Sequence, residues 1–408
     1  MVFSREIKTL LSLSIAHVLV ECFTGFWPVF KHLAGLDLFM AGFIATSTSF
    51  CASILQPFFG HWADHGRQKK IVLIGTALSS LMMLVGPLGQ YKEKFSATIS
   101  YGLIFLCVFS ARIGHSMFHP PGVSTASTLF EQHQARLLAF FTAFGWLGIA
   151  FSQALFSWMY LHWQGHTEII LLPSLFLFIW IVAWYQSPGD SVIQRVSLRK
   201  KWAQLATTRH HLFLLFTVIA FMSGLNNGLI FLLPEFLESQ GYPFWFVQGG
   251  AFGFMIAGSA IGVMPAGYLA DLYGKKRVLK ISLILSAISY FTLLWKANSG
   301  IMVFTLLCFT FGAFMASVQT IGVSLGQTLA PQNKNIVSGI MMGWVWAFGS
   351  LTPLFMGYVS TYFHITPGEI LVYLGSLNVL AIVGSYLLPA IAEGHQRNVD
   401  QYDIANFP

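Results

Sequence analysis

Residues Gly267–Arg277 read GYLADLYGKKR, and Gly60–Lys70, early in the chain, read GHWADHGRQKK. Both place a Gly-x-x-x-Asp turn after an apolar run and follow it with basic residues. A second pair of echoes, GVSTASTL from Gly122 and GVSLGQTL from Gly322, recurs at nearly the same separation, close to half of the 408 residues. Either echo alone is what chance can produce. Two at nearly one offset, each at the same place in its half, predict a duplication of a set of helices.

The rest of the sequence supplies those helices. Of the residues, 55% are hydrophobic and only 9% are charged, where a soluble domain of this size carries about one quarter. Apolar runs long enough to cross a hydrocarbon core about 30 Å thick recur at 9–30, 38–61, 70–90, 97–120, 136–160, 168–186, 211–236, 244–270, 277–297, 300–329, 335–361 and 367–391. Backbone polar groups in lipid are satisfied only in helices or closed barrels, and these runs are too long and too uniformly apolar for barrel strands. The expected fold is therefore an all-α integral membrane protein with twelve transmembrane helices in two pseudo-symmetric six-helix bundles. The first bundle spans 1–186 and the second 211–391, joined by a cytoplasmic linker at 187–210 and followed by a cytoplasmic tail at 392–408. The first run holds Glu21 and lacks a small-residue cleavage site, so it reads as a span and not as a signal peptide. In the linker, Trp202 and Leu205 among basic residues suit either a short helix lying on an anionic leaflet or a plain tether.

A formal charge of +7 raises the question of a nucleic-acid partner. Placed on the topology, however, Lys31, Lys92, Lys94 and Lys296 fall on one side, Arg112 lies mid-span, and all the other Lys and Arg fall on the side of the termini. That asymmetry is the positive-inside rule, with both termini cytoplasmic. Basicity here records orientation, and the partner it implies is the lipid bilayer. Cys22, Cys51, Cys107 and Cys308 sit inside apolar runs without C-x-x-C spacing, which reads as packing without a disulfide or zinc framework.

The few charges inside the spans mark the candidate site. Among the acidic residues Glu21 alone lies near mid-span, with Glu235 near a helix end beside Pro234; among the basic residues Arg112 alone does. Left facing lipid, such a group costs about 2.5–3.5 kcal/mol, so both should face inward. On the first helix His17 and Glu21 are four apart; on the fourth, in SARIGHSMFHPPGVS, Arg112, His115 and His119 form one stripe at spacings of three and four. Histidine titrates nearest neutral pH, so the three imidazoles are candidate proton carriers or solute ligands, with purely structural hydrogen bonding as the alternative. His115 and His119 at i and i+4 also have chelating spacing, which the cationic Arg112 on the same stripe disfavours unless Glu21 compensates. Pro120 and Pro121 are expected to bend or end the helix. The second half offers Asn226, Asn227 and Gln319 with Trp344 and Trp346, and no deep cation: an amide-rich, aromatic surface opposite a charged one.

Twelve spans in two sixes, with a Gly-x-x-x-Asp loop after the second and eighth, resemble the major facilitator superfamily. Gly267, Asp271, Gly274 and Lys275 fit that family's loop pattern residue for residue; Gly60 and Asp64 fit it in the first copy, where Gly66 comes one residue early and Arg67 takes the basic place. The resemblance implies that these loops latch the cytoplasmic gate, and that helices one and four border a central pathway, which makes an encounter of Glu21 with Arg112 expected. GHSMFHPPG together with SIAHVLVE is similar to the fosmidomycin resistance branch, in which the first-helix acid is commonly Asp where this chain has Glu21. That likeness implies a cell inner membrane protein, working as a monomer without a cofactor, which couples proton movement to passage of a small anionic molecule, often as export. Arg112 would bind the anion, Glu21 with His17 would carry the proton, and His115, His119, Asn226, Asn227, Gln319 and Trp344 would contact the solute, with Gln153 able to join them. An importer of a polycarboxylate or siderophore-like metal chelate, a polytopic membrane enzyme using Glu21 and the histidines, and a non-transporting sensor remain as alternatives.

Overall fold

A computed structural model describes residues 5–63, 67–129, 134–185, 208–330, 337 and 339–389, and among them every regular element is helical. We number the helices α1 (Arg5–Leu33), α2 (Leu38–Trp62), α3 (Gln68–Gln90), α4 (Ala97–Thr128), α5 (Gln134–His162), α6 (Thr167–Trp184), α7 (Arg209–Ser239), α8 (Phe246–Ala270), α9 (Lys275–Trp295), α10 (Ile301–Leu329), α11 (Ile340–Phe363) and α12 (Pro367–Leu387). Eleven are long and apolar enough to cross a membrane among the described residues, and the 29-residue α5 stands between α4 and α6. The linker expected at 187–210 lies mostly outside the described residues, as do Asp64 and the tail.

Local chemistry starts and stops these helices. Asp37 caps α2 by accepting from the Met40 amide at 2.9 Å, and Thr366 and Glu369 close a reciprocal capping box on α12 with Pro367 in its first turn. Gly274 separates α8 from α9 at φ +94°, a backbone conformation that side chains with a Cβ rarely adopt. Of the two outcomes expected for Pro120 and Pro121, a bend or an end, the end is corrected: α4 continues through both to Thr128. Proline's fixed φ is compatible with a helix, and what the pair removes is two amide donors.

Small residues then set the packing. α8 and α10 approach so closely that a Cβ on Gly258 would lie 1.9 Å from the Phe309 carbonyl oxygen, and one on Gly312 would lie 1.9 Å from that of Met255. α1 lies against α5, α4 against α2 and α3, α10 against α8 and α9, and α7 against α11 and α12. The first six and last six helices meet along three seams, α1 with α7, α2 with α11 and α5 with α8. Each seam is bonded at the end of the bundle away from the termini. Thr46 Oγ1 donates to the Ser350 carbonyl at 2.6 Å and accepts from the Leu354 amide at 3.1 Å; Ser157 Oγ donates to the Gln248 carbonyl at 2.9 Å; Lys31 pairs with Glu235. Opposite Ser157 the backbone of α8 breaks, with Gly249 at φ +126° pressed onto Gln153. Of the four cysteines, all free, only Cys308 is buried and Cys51 is exposed, which corrects the uniform packing role expected for them.

Candidate functional site

Three imidazoles from α1 and α4 converge on one carboxylate oxygen. Glu21 Oε1 lies 3.4 Å from His17 Nε2, 3.4 Å from His115 Nε2 and 3.1 Å from His119 Nε2, and the two α4 histidines face each other, Nε2 to Nε2, at 3.0 Å. The spacings explain the meeting: three and four residues along a helix return to one face, so the α1 pair and the α4 stripe form two short ladders laid side by side. Glu21 is 8% exposed and His17 5%, whereas the His115 and His119 side chains keep about a fifth of their surface open.

Hydrogen-bond logic constrains what fills the cluster. His17 Nδ1 lies 2.9 Å from the Phe141 carbonyl, which can only accept, so Nδ1 carries the hydrogen. A neutral His17 then turns a bare Nε2 toward Glu21, acceptor against acceptor. The His115–His119 contact likewise needs one hydrogen between two ring nitrogens. Without added positive charge or a shared proton the four groups repel. The donor set also has metal-ligand spacing: one ligand atom each from His17, Glu21 and His119 lies within 4.8 Å of the others.

Around this cluster the packing is tight. The His17 ring stacks on Phe141 with centroids 4.2 Å apart and meets Phe118 at 5.5 Å; both phenylalanines are fully buried. From α5, Gly145 and Gly148 clear the space that His17 and Glu21 occupy: a Cβ on Gly145 would sit 2.3 Å from His17 Cε1, and one on Gly148 3.0 Å from Glu21 Cβ. Phe141 has no signal in the sequence, because a residue that stacks from another helix leaves no periodic trace.

Arg112 makes no direct pair with Glu21, yet lies near enough for the Glu21 charge to act on its guanidinium, so the expected encounter is one of charge without contact. Among the described residues it makes no ion pair, and its buried Nε has no hydrogen-bond partner. The reason is axial rise: Arg112 lies about 4.5 Å before His115 and about 10 Å before His119 along α4, while the carboxylate sits level with the imidazoles. A half-buried guanidinium whose Nε lacks an acceptor is suited to receive an anion.

The remaining candidates are scattered over the second set of helices. Asn227 Nδ2 donates to the Ser223 carbonyl of its own helix, Gln319 Nε2 donates to the Met341 carbonyl of α11, and Asn226 and Trp344 are half-buried. Gln153 reaches the Gly25 carbonyl at 3.5 Å. Of the loop residues, Gly60 lies near Pro120, Lys275 Nζ donates to Thr328 Oγ1 at 2.7 Å, and Arg67 is exposed. Among the described residues nothing lies within 4 Å of a Cβ built on Gly267. The side chain of Asp271 lies outside the described residues.

The profile of the Major Facilitator Superfamily matches residues 9–353. The chain belongs to this superfamily. It is a multi-pass membrane protein and a secondary transporter, not an enzyme by family. An uncharacterised MFS-type transporter of Bacillus subtilis (strain 168), YfnC, is 24% identical over 89% of this chain and 87% of that protein. The fosmidomycin resistance protein of Escherichia coli (strain K12) is 21% identical over 86% of this chain and 85% of its own length, in line with the branch resemblance of the α1 and α4 motifs. Among solved structures, a mutant of the nucleoside transporter NupG superposes with a TM-score of 0.74 at 14% identity, covering 94% of this chain and all of that one, which establishes the shared fold.

Proposed function

We propose that the protein exports a small anionic organic solute across the inner membrane in exchange for protons, as a monomer with both termini cytoplasmic, by rocking two six-helix bundles about the cluster. The observation that carries this reading is a half-buried guanidinium at Arg112, its buried Nε without a hydrogen-bond partner, within electrostatic reach of a carboxylate held among three imidazoles. Arg112 binds the carboxylate or phosphonate of the solute. Glu21, with His17, His115 and His119, holds the exchanged proton, since the cluster needs positive charge or a shared proton to be stable. Exchange requires the two loads to alternate: the solute occupies Arg112 in one orientation of the bundles and the proton occupies the cluster in the other. The Asn226, Asn227, Gln319 and Trp344 surface takes the rest of the solute, and the Gly60–Arg67 and Gly267–Lys275 loops latch the cytoplasmic side.

The test is internal pH in proteoliposomes when fosmidomycin-like phosphonates or citrate-like polycarboxylates are added, comparing wild type with Arg112→Ala and Glu21→Gln. A solute-triggered proton flux in the wild type that both variants lack supports the reading, and its sign relative to solute movement distinguishes export by antiport from symport. Flux of equal size in Glu21→Gln sinks it.

A second reading is favoured by the metal-ligand spacing of His17, Glu21 and His119. In it the solute is a metal–polycarboxylate chelate taken inward, with the metal on the cluster and the free carboxylates on Arg112. Uptake of iron citrate but not of citrate alone, abolished by a strong chelator, would select it.

A further inference from the structure

Away from the cluster, at the end opposite the termini, a second charged site lies in the α1–α7 seam. Lys31 is 1% exposed and pairs with Glu235 from the other six-helix set. Its Nζ also stands 4.5 Å from the centre of the Phe231 ring. The neighbouring His32 points Nδ1 at the same Glu235 oxygen from 3.6 Å and Nε2 at Glu238 from 3.8 Å. Two buried hydrogen-bonding atoms on these helices, Trp27 Nε1 and Glu235 Oε2, find no partner.

The arrangement is that of a receptor already holding a ligand. Lys31 and His32, both on α1, converge on one carboxylate oxygen, an aromatic face lies beside the cation, and the carboxylate belongs to a helix of the other set. Any movement that opens this end must carry Glu235 away with α7 and leave Lys31 on α1 without a counter-charge. A buried cation without its partner is strongly disfavoured, so an incoming anion gains what Glu235 gives up. Arg112 and Lys31 lie on helices one and four, the two expected to border the pathway. We propose that Lys31 is a second binding site for the anionic group of the solute, filled in this conformation by the Glu235 carboxylate and vacated to the solute when the α1–α7 seam parts. The proposal rests on the anionic reading of the solute given above.

Chemical rescue tests the site without knowledge of the solute. The full-length protein in lipid nanodiscs, with Glu235→Ala, is heated in sodium acetate and in sodium chloride of equal ionic strength. Acetate, the missing side chain's own functional group, restores most of the lost unfolding midpoint in Glu235→Ala and does nothing for the wild type or for Lys31→Ala/Glu235→Ala. If Glu235→Ala does not survive purification, its yield with acetate present throughout is the same readout. A second arm separates a solute site from a mere clasp. The exchanged pair Lys31→Glu/Glu235→Lys keeps the ion pair and moves the cation to α7. Phosphonate or citrate flux that stays about tenfold or more below wild type in this folded variant supports the proposal. Acetate acting no better than chloride on Glu235→Ala, or wild-type flux from the exchanged pair, overturns it. Should the wild type move neither anion, the flux arm counts against the anionic reading itself, while the acetate arm still decides whether Lys31 receives a carboxylate.

Discussion

Gly145→Ala places one methyl group against the His17 ring. The new Cβ would lie 2.3 Å from Cε1, 2.5 Å from Nε2 and 2.8 Å from Nδ1, well inside contact distance for all three. The ring has nowhere to retreat, because Phe141 stacks on it at 4.2 Å, His119 meets it edge-on at 5.1 Å and Phe118 lies at 5.5 Å. Overpacking of this kind costs about 1–3 kcal/mol, and displacing Nδ1 from the Phe141 carbonyl adds about 0.5–1.5 kcal/mol. Alanine recovers about 0.5–1 kcal/mol from its better helix propensity. The expected net loss is about 1–3 kcal/mol, together with loss of the proton flux that depends on Glu21. The assay is the unfolding midpoint in nanodiscs alongside the internal-pH measurement. Gly102→Ala is the control, since nothing lies within 4 Å of a Cβ there; it should gain about 0.5–1 kcal/mol. A Gly145→Ala protein as stable as the control, with intact flux, would refute the geometry of the cluster.

Gly312→Ala meets backbone on the far side, at 1.9 Å from the Met255 carbonyl oxygen, where no flexible side chain can give way; monodisperse protein by size exclusion should be nearly lost. Gly274→Ala must hold φ +94°, at a cost of about 1–3 kcal/mol, seen as a lower unfolding midpoint. Thr46→Val keeps shape but removes the donor to Ser350 and the acceptor for the Leu354 amide. Leaving these buried groups unpaired costs about 1–3 kcal/mol, and hydrogen exchange at Leu354 should quicken at least about tenfold.

Hydropathy made the spans readable because lipid removes every competing solution for a long apolar run. The turn positions were readable for a related reason: Gly274 and Asp37 satisfy local backbone needs that depend only on neighbours in sequence. Helical spacing brought His17, Glu21, His115 and His119 to two faces, and those faces do meet. It left the height of Arg112 open, because sharing a stripe says nothing of rise, and the guanidinium meets the Glu21 carboxylate through its charge and not in a direct pair. Pro120 and Pro121 left a bend or an end open, since the loss of a donor does not by itself decide whether the helix continues. Lys31 was placed outside by charge counting alone. Its partner Glu235 lies in the other half, and nothing in periodicity links residues that meet only when two helix sets close.

One helix touches both the cluster of Glu21 with the histidines and a bonded boundary between the two sets. α5 carries the Phe141 carbonyl and the clearings at Gly145 and Gly148 at one level, and Gln153 and Ser157, pressed onto the broken start of α8, at another. Phe141 and Ser157 are about 24 Å apart along its axis, so the helix is a stiff lever with His17 gripping one arm and α8 the other. A tilt of about 5° moves one arm by about 2 Å relative to the other, more than the Ser157–Gln248 bond tolerates. Whatever changes the charge between His17 and Glu21 therefore pulls on the far closure through a single rigid rod.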